Sequence, residues 1–237
     1  NTIVRTMAMN GNNLFLGGDF TFCKGASRSY IAKIDSATGL VNTNWNPGSN
    51  GYIHALAGNG TNIYVGGSYT QLAGVTRTSL GAVNANTGVA TNFDPIIQQG
   101  GGQGTVHTIA FDASNILYAG GTFSTAKGGT TRNNLAAFTT AGTGALQAWD
   151  PNANSTVYAL AVNGTTIYAG GSYTTLNGGT VRNRLASLNN TTGTALAFNP
   201  NMNNTVYALS LSGTNLYTGG SFTFVNGVAT SRNYLAS

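Results

Sequence analysis

The chain repeats one sequence pattern five times, and this repetition limits the folds open to it. A Gly-Gly pair, then a polar residue, then an aromatic residue recurs at 17–20, 66–69, 120–123, 170–173 and 219–222. The steps between the first glycines are 49, 54, 50 and 49 residues. A period in this range, with several short strands in each unit, is typical of the blades of a β-propeller.

The fourth repeat shows the local pattern most clearly. Runs rich in β-branched and aromatic residues cover 156–162, 165–174, 182–188 and 194–198, and Gly, Asn and Pro separate them. These runs predict a meander of four antiparallel strands, and no segment of the chain has a helical periodicity. One small sheet cannot bury both of its faces, whereas blades stacked around an axis cover each other.

We therefore predict an all-β protein, a β-propeller of five repeats of about 50 residues with four-stranded meander blades. The whole chain, 1–237, is expected to form a single domain with blades at 1–50, 51–104, 105–155, 156–204 and 205–237. The longest connection between blades is expected at 96–104. An aromatic residue followed by Asn or Asp and then Pro ends only four repeats, at Trp45, Phe93, Trp149 and Phe198. We therefore expect an incomplete last blade and a chain that is part of a longer protein.

An arginine recurs in every repeat, three residues before an aliphatic residue. The five positions are Arg28, Arg77, Arg132, Arg182 and Arg232. A guanidinium carries five donors in a rigid fork and can hold the carbonyl groups of a turn or of an adjacent blade. These arginines are therefore predicted to be structural. The aromatic residues of the aromatic-Asn/Asp-Pro element are predicted to close the edge of each blade, and stacking on sugars is the alternative.

Alignment of the first strands of the repeats places five polar or aromatic residues at one equivalent position. They are Arg5, His54, His107, Tyr158 and Tyr207. If this strand is the innermost one, the five side chains form a ring near the central channel that is a candidate ligand-binding site. The alternative is packing between blades, with the polar ends reaching backbone or water. No metal is expected, since two imidazoles with no carboxylate at the same position make a poor ligand set.

Composition excludes several classes of partner. Charged residues make up 6% of the chain, Glu is absent, and the net charge is +5. Half of the ten basic residues are the repeat arginines, one per repeat, so no basic run is available for nucleic acid. No stretch of about 18 apolar residues predicts a membrane span. A neutral surface rich in Gly, Asn and Thr is common in secreted and cell-surface β-proteins.

The strings Ile63-Tyr64-Val65-Gly66-Gly67-Ser68-Tyr69-Thr70 and Arg182-Asn183-Arg184-Leu185-Ala186 resemble the blades of the delta-60 repeat propellers. The resemblance extends over all five repeats. It implies a bacterial secreted or surface protein, a group that includes adhesins and cargo of the type IX secretion system of Bacteroidota. The family supplies no catalytic residue that could be assigned here.

No complete catalytic constellation is visible in the sequence. The turn at Asp35-Ser36-Ala37-Thr38-Gly39 resembles a turn of quinoprotein propellers, but local hydrogen bonding explains it, and no cofactor is expected. We predict a non-enzymatic binding, adhesion or structural module of a secreted or cell-surface protein. Its expected partner is an unknown protein or glycan at the cell surface, with the secretion machinery as a second partner. The alternative is an enzyme or lectin with a site at the channel mouth, in which His54 or His107 acts as a base.

Overall fold

A computed structural model describes residues 3–226 and 233–237. Each of the first four repeats has three longer strands and a short hairpin, and the described part of the fifth has two longer strands and a two-residue third strand. In chain order the strands are β1 (Val4–Asn10), β2 (Asn13–Gly18), β3 (Phe22–Cys23), β4 (Ala26–Ser27), β5 (Ile31–Asp35), β6 (Tyr52–Gly58), β7 (Asn62–Ser68), β8 (Gln71–Leu72), β9 (Val75–Thr76), β10 (Leu80–Asn84), β11 (Gln98–Gln99), β12 (Gly102–Gln103), β13 (Thr105–Phe111), β14 (Ile116–Thr122), β15 (Thr125–Ala126), β16 (Thr130–Thr131), β17 (Leu135–Thr139), β18 (Val157–Asn163), β19 (Thr166–Gly171), β20 (Thr175–Leu176), β21 (Thr180–Val181), β22 (Leu185–Asn189), β23 (Val206–Ser212), β24 (Asn215–Gly220) and β25 (Leu235–Ala236).

The longer strands of each repeat, together with β25 in the fifth, form an antiparallel sheet in chain order. The five sheets are β1-β2-β5, β6-β7-β10, β13-β14-β17, β18-β19-β22 and β23-β24-β25. The described residues form no helix, and so none that could cross a membrane. The all-β prediction is confirmed.

The fourth strand of each predicted meander is present as a single antiparallel bridge to the third strand. The four bridges are Ile34–Val41, Val83–Ala90, Phe138–Leu146 and Leu188–Ala195. In the fourth repeat, the predicted second strand ends at Gly171 and the third begins at Leu185, because a short hairpin, β20–β21, lies between them. The predicted long connection at 96–104 is likewise ordered as the hairpin β11–β12, and its Gln98 pairs with Thr125.

The second glycine is required by a close backbone approach in four of the Gly-Gly pairs, at Gly18, Gly67, Gly171 and Gly220. A Cβ on Gly67 would lie 2.2 Å from the carbonyl oxygen of Tyr52, and a Cβ on Gly171 would lie 2.2 Å from that of Thr156. Since a real Cβ does not approach an oxygen this closely, only glycine fits the position. The sequence pattern therefore records a steric constraint on the central strand of the sheet.

The residue just before the third strand has a left-handed backbone in every repeat, although it is never glycine. Its φ lies between 62° and 68° at Tyr30, Ser79, Asn134, Arg184 and Tyr234. In each case its N–H donates to the carbonyl of the aromatic residue that follows Gly-Gly, and its C=O accepts from the second glycine. These two hydrogen bonds, 2.8–3.0 Å long, stabilise a conformation that a non-glycine residue rarely adopts.

By its internal contacts the chain divides into two compact units. The first comprises Asn1–Val106, Thr125–Thr130 and Thr140–Ala145, and the second comprises His107–Ser124, Thr131–Thr139 and Leu146–Ser237. The predicted single domain stays a prediction.

Within each unit the apolar core crosses from one repeat to the next. Phe15 and Ile31 of the first repeat share a cluster with Ile53 and Val65 of the second. In the second unit, Leu185 of the fourth repeat shares a cluster with Val206 of the fifth. Neighbouring repeats therefore bury each other's faces, as the repeat pattern predicts.

Candidate functional site

One repeat position, which we call the inner position after its predicted place, is shared by Arg5, His54, His107, Tyr158 and Tyr207. They lie at the start of the first strand of each repeat, and in three repeats the side chain reaches the residue after Gly-Gly. Arg5 binds Asp19, His54 lies 3.1 Å from Ser68, and His107 lies 3.4 Å from Thr122. Arg5 and His54 belong to the first unit, and His107, Tyr158 and Tyr207 belong to the second. A single ring of five stays a prediction, and each group is described within its own unit.

In the first unit the inner position is polar and charged. Arg5 binds both carboxylate oxygens of Asp19, at 2.5 and 2.6 Å. These hydrogen bonds lower the pKa of Asp19 and raise that of Arg5. The ion pair therefore stays charged over the physiological pH range.

Next to this ion pair, His54 begins a short chain of hydrogen bonds. Its Nε2 lies 3.1 Å from Ser68 Oγ, which in turn lies 3.0 Å from Thr105 Oγ1. Burial, reinforced by the charge of Arg5 and opposed by that of Asp19, lowers the pKa of His54 below its ordinary value. The imidazole is therefore neutral at pH 7, with one nitrogen that donates and one that accepts.

In the second unit the inner position carries a row of three rings, which we call the aromatic row: His107, Tyr158 and Tyr207. The ring centroids of His107 and Tyr158 are 5.1 Å apart, and those of Tyr158 and Tyr207 are also 5.1 Å apart. The planes are tilted by 48° and 58°. Tyr207 is 52% exposed, so the row offers a ring surface and phenol groups to a ligand.

The four repeat arginines within the described residues make the same pair of contacts. Nη1 donates to the carbonyl of the preceding residue, and Nη2 donates to a carbonyl about 14 residues further on, beside the bridge that ends the repeat. All eight distances lie between 2.6 and 2.9 Å. For Arg182 the acceptors are Val181 and Leu196. The guanidinium thus joins the short hairpin to the outer segment, and Arg232 lies outside the described residues.

The aromatic residues that precede Asn/Asp-Pro are mostly buried. Trp45, Phe93 and Trp149 are 0–2% exposed, and Phe198 is 41% exposed. Trp45 Nε1 donates to the carbonyl of Asn84 in the next repeat, and Trp149 Nε1 donates to that of Asn189. Each of these two indoles therefore links two consecutive repeats and, being buried, exposes no face to a sugar.

A cavity with a mixed polar and apolar lining, which the sequence did not indicate, lies in the second unit. It measures about 260 Å³ and borders Asp112, Tyr118, Trp149 and Asn190. Tyr118 donates to Asp112 Oδ2 at 2.9 Å, and backbone N–H groups of Ser114 and Ile116 donate to Oδ1. Burial, followed by this contact with Asp112, raises the pKa of Tyr118. Asn190 of the fourth repeat completes the cavity, with its carbonyl oxygen 3.0 Å from the Tyr118 hydroxyl and its Nδ2 3.4 Å from Asp112 Oδ2, so no local sequence signal could have indicated the full set.

Neither this cavity nor the inner position forms a metal site. Among residues 3–226 and 233–237, no cluster of three or more His, Cys, Asp or Glu side chains could hold an ion. The turn at Asp35 is held locally, since Asp35 Oδ1 accepts the backbone N–H groups of Ala37 and Thr38. These hydrogen bonds lower the pKa of the Asp35 carboxyl. The same geometry recurs at Asn84 and Asn189 with an amide oxygen as acceptor.

No family model and no curated protein matches the sequence. Among solved structures, the chain is similar to the WD40 β-propeller domain of Doa1, with a TM-score of 0.58 and 12% identity over 92% of this chain. It spans 62% of that structure. It is also similar to the computationally designed Ika4 protein, with a TM-score of 0.50 and 19% identity, covering 73% of this chain and 87% of that one. The repeated antiparallel sheets and these similarities establish a β-propeller fold, as the sequence predicted.

Proposed function

We propose that the chain is a non-enzymatic binding module of a protein at a bacterial cell surface, and that it binds a surface glycan through the aromatic row. The supporting observation is the row itself: three rings with neighbouring centroids 5.1 Å apart, ending at a half-exposed tyrosine. Aromatic rings stack against the C–H faces of sugars, and tyrosine adds a hydroxyl to bind theirs. A surface protein is the alternative ligand.

The chemistry around the row suits a neutral ligand. The neighbouring groups include Thr122 and Thr156, whose hydroxyl oxygens lie 2.9 Å apart. The chain as a whole has few charged residues. The free-energy cost of removing a neutral oligosaccharide from water is small if protein hydroxyl groups and rings replace its hydration.

A glycan and protein array tests this proposal. Wild-type protein is expected to bind a subset of neutral oligosaccharides, and the Tyr158→Ser/Tyr207→Ser double variant is expected to lose that binding. Tyr217→Ser is the matched control, because Tyr217 is also exposed, at 39%, but lies on β24 outside the row. No binding to any glycan or protein would favour a purely structural module instead.

The second candidate function is an enzyme whose catalytic residue at the inner position is His54. The contact between His54 Nε2 and Ser68 Oγ favours it. A neutral histidine beside a hydroxyl is the beginning of a nucleophilic pair. In serine hydrolases a carboxylate orients that histidine, whereas here Arg5 engages both oxygens of Asp19. Ester and glycoside hydrolysis assays distinguish the candidates: we expect no turnover, whereas turnover lost in a His54→Ala/His107→Ala variant would establish an enzyme.

Export to the cell surface is proposed on composition and on the resemblance to the delta-60 repeat propellers. A surface rich in Gly, Asn and Thr with 6% charged residues suits that location. We propose the type IX secretion machinery as the route. Fractionation of the source cells, with protease treatment of intact cells, tests the location: the protein should be degraded from outside, and protection from protease would contradict export.

A further inference from the structure

Consecutive repeats pack through an aliphatic side chain that fits into a space left by glycine. The aliphatic residue, which we call the knob, is the first or second residue of the first strand of a repeat. The first glycine of the preceding Gly-Gly pair, which we call the hole, receives it. A Cβ placed on the glycine would lie 2.5–2.7 Å from a methyl carbon of the knob at the four interfaces Gly17–Ile53, Gly66–Val106, Gly120–Val157 and Gly170–Val206. No side chain other than hydrogen fits the hole once the knob is seated.

The apolar residue that begins the third strand is buried at the same four interfaces. Ile31, Leu80, Leu135 and Leu185 are 0–1% exposed, and the four knobs are 0% exposed. Ile31 shares a cluster with the knob Ile53, and Leu185 shares one with the knob Val206. The interface is thus one design used four times.

Among residues 3–226 and 233–237, one knob and one hole have no counterpart. Val4, the knob of the first repeat, is 47% exposed, and Met7 and Met9 on the same strand are 65% and 57% exposed. On the fifth repeat, a Cβ on Gly219 would find its nearest atom at 3.7 Å, and Leu235 is 65% exposed. The chain therefore presents two complementary apolar faces, a Val4 face (Val4, Met7 and Met9) and a Gly219 face (Gly219 and Leu235).

We propose that copies of this chain associate head to tail, with the Val4 face of one copy on the Gly219 face of another. The partner follows from the four internal interfaces, since each joins a knob face to a hole face of the same kind. Because the two faces differ, the contact is heterologous, and a copy with one face blocked can still use the other. Exposed apolar faces of this kind mark interaction sites.

Light scattering on the 237-residue chain provides the first test. The wild-type mass is expected to rise from 24.2 kDa towards at least about twice that value as protein concentration increases. Gly219→Val is expected to remain at 24.2 kDa with an unchanged melting temperature, because a Cβ there would lie 3.7 Å from Ala208 Cβ and 3.8 Å from the carbonyl oxygen of Tyr234, which are ordinary van der Waals distances. Gly102→Val is the matched control, since its Cβ also has room, with the nearest atom at 3.6 Å, and it lies on the β11–β12 hairpin. It should associate like the wild type.

A mixing experiment tests the head-to-tail arrangement. Val4→Asp blocks the Val4 face and Gly219→Val blocks the Gly219 face, so each variant alone should be monomeric. Their mixture should form a complex of one copy of each, through the intact Gly219 face of the first and the intact Val4 face of the second. A wild-type chain that stays at 24.2 kDa at every concentration overturns the proposal, as does association that survives in Gly219→Val or a mixture that stays monomeric.

Discussion

The repeat arginines and the residues at the inner position are both repeat-equivalent sets, but they behave differently. Four arginines make the same two carbonyl contacts in four repeats. At the inner position, Arg5 pairs with Asp19, His54 contacts Ser68, and Tyr158 packs against other rings. A contact repeated without change serves the fold of each repeat, whereas a position whose residue type varies among Arg, His and Tyr from repeat to repeat is free to serve a ligand.

The same division applies to other positions. The second glycine of the pair and the left-handed residue before the third strand each keep one geometry: a Cβ on Gly18, Gly67, Gly171 or Gly220 would lie 2.1–2.2 Å from a carbonyl oxygen. Substitutions at these uniform positions should therefore lower stability, and substitutions at the variable inner position should leave it nearly unchanged.

The largest effect is expected at the second glycine of a repeat. Gly67→Ala would place a Cβ 2.2 Å from the carbonyl oxygen of Tyr52, and neither backbone can move away cheaply. We expect a loss of more than about 4 kcal/mol or a failure to fold, measured by chemical denaturation. Gly102→Ala, outside the repeat pattern and with its nearest atom at 3.6 Å, should stay within about 1 kcal/mol of wild type. Equal losses of stability at both sites would show that the second glycine of the pair is under no special steric constraint.

A smaller loss is expected from Arg182→Lys. The ammonium keeps the charge but cannot reach the carbonyls of Val181 and Leu196 together. The expected cost is about 1.5–3 kcal/mol. Arg5→Lys is the control, since the Arg5 side chain is 38% exposed in its pair with Asp19, and its cost should stay below about 1 kcal/mol. If both variants melt alike, the uniform arginines have no special role.

Tyr173→Phe should cost less again. The buried Tyr173 hydroxyl donates to the carbonyl of Ala169 at 2.5 Å, and burial raises the pKa of the phenol. Three other repeats have phenylalanine at the equivalent position: Phe20, Phe123 and Phe222. The loss should be that of one hydrogen bond, about 0.5–1.5 kcal/mol. Tyr207→Phe, at an exposed inner position, should show no measurable change in melting temperature.

The smallest effect is a dependence of stability on pH from His54. Its folded pKa lies below the ordinary 6.5, so the unfolded chain binds a proton more readily. The contribution of His54 to the free energy of unfolding is fully present above pH 6.5, and it is lost as the pH drops through 6.5 towards the folded pKa. His54→Gln should flatten the melting temperature between about pH 7 and 5. An unchanged pH profile would show that His54 titrates as in the unfolded chain.

The sequence predicts the repeated parts of the fold because the residues that form each part recur in several repeats. The period, the antiparallel sheets and the tight glycine position follow from short, local patterns. The left-handed backbone at Tyr30, Ser79 and Arg184 could not be predicted, since these residue types disfavour it and only hydrogen bonds to the Gly-Gly segment impose it.

The candidate site is predicted in part. Alignment of the repeats identifies all five inner residues, but not that Asp19 neutralises Arg5 or that Ser68 joins His54 to Thr105. The cavity at Asp112 is missed, because Tyr118 and Asn190 meet there from different repeats. Local pattern finds a position shared by the repeats, whereas partners contributed by another repeat require the fold.

The most direct test of the central claim is the affinity for immobilised neutral oligosaccharides, compared among three folded proteins: wild type, Tyr158→Ser/Tyr207→Ser and Arg182→Lys. If the variable inner position carries function and the uniform positions carry the fold, the double variant should lose at least about tenfold in affinity, equal to about 1.4 kcal/mol, at an unchanged melting temperature. At temperatures below its lowered melting temperature, Arg182→Lys should bind with the affinity of the wild type. Wild-type affinity in the double variant, or a loss confined to Arg182→Lys, would contradict the account.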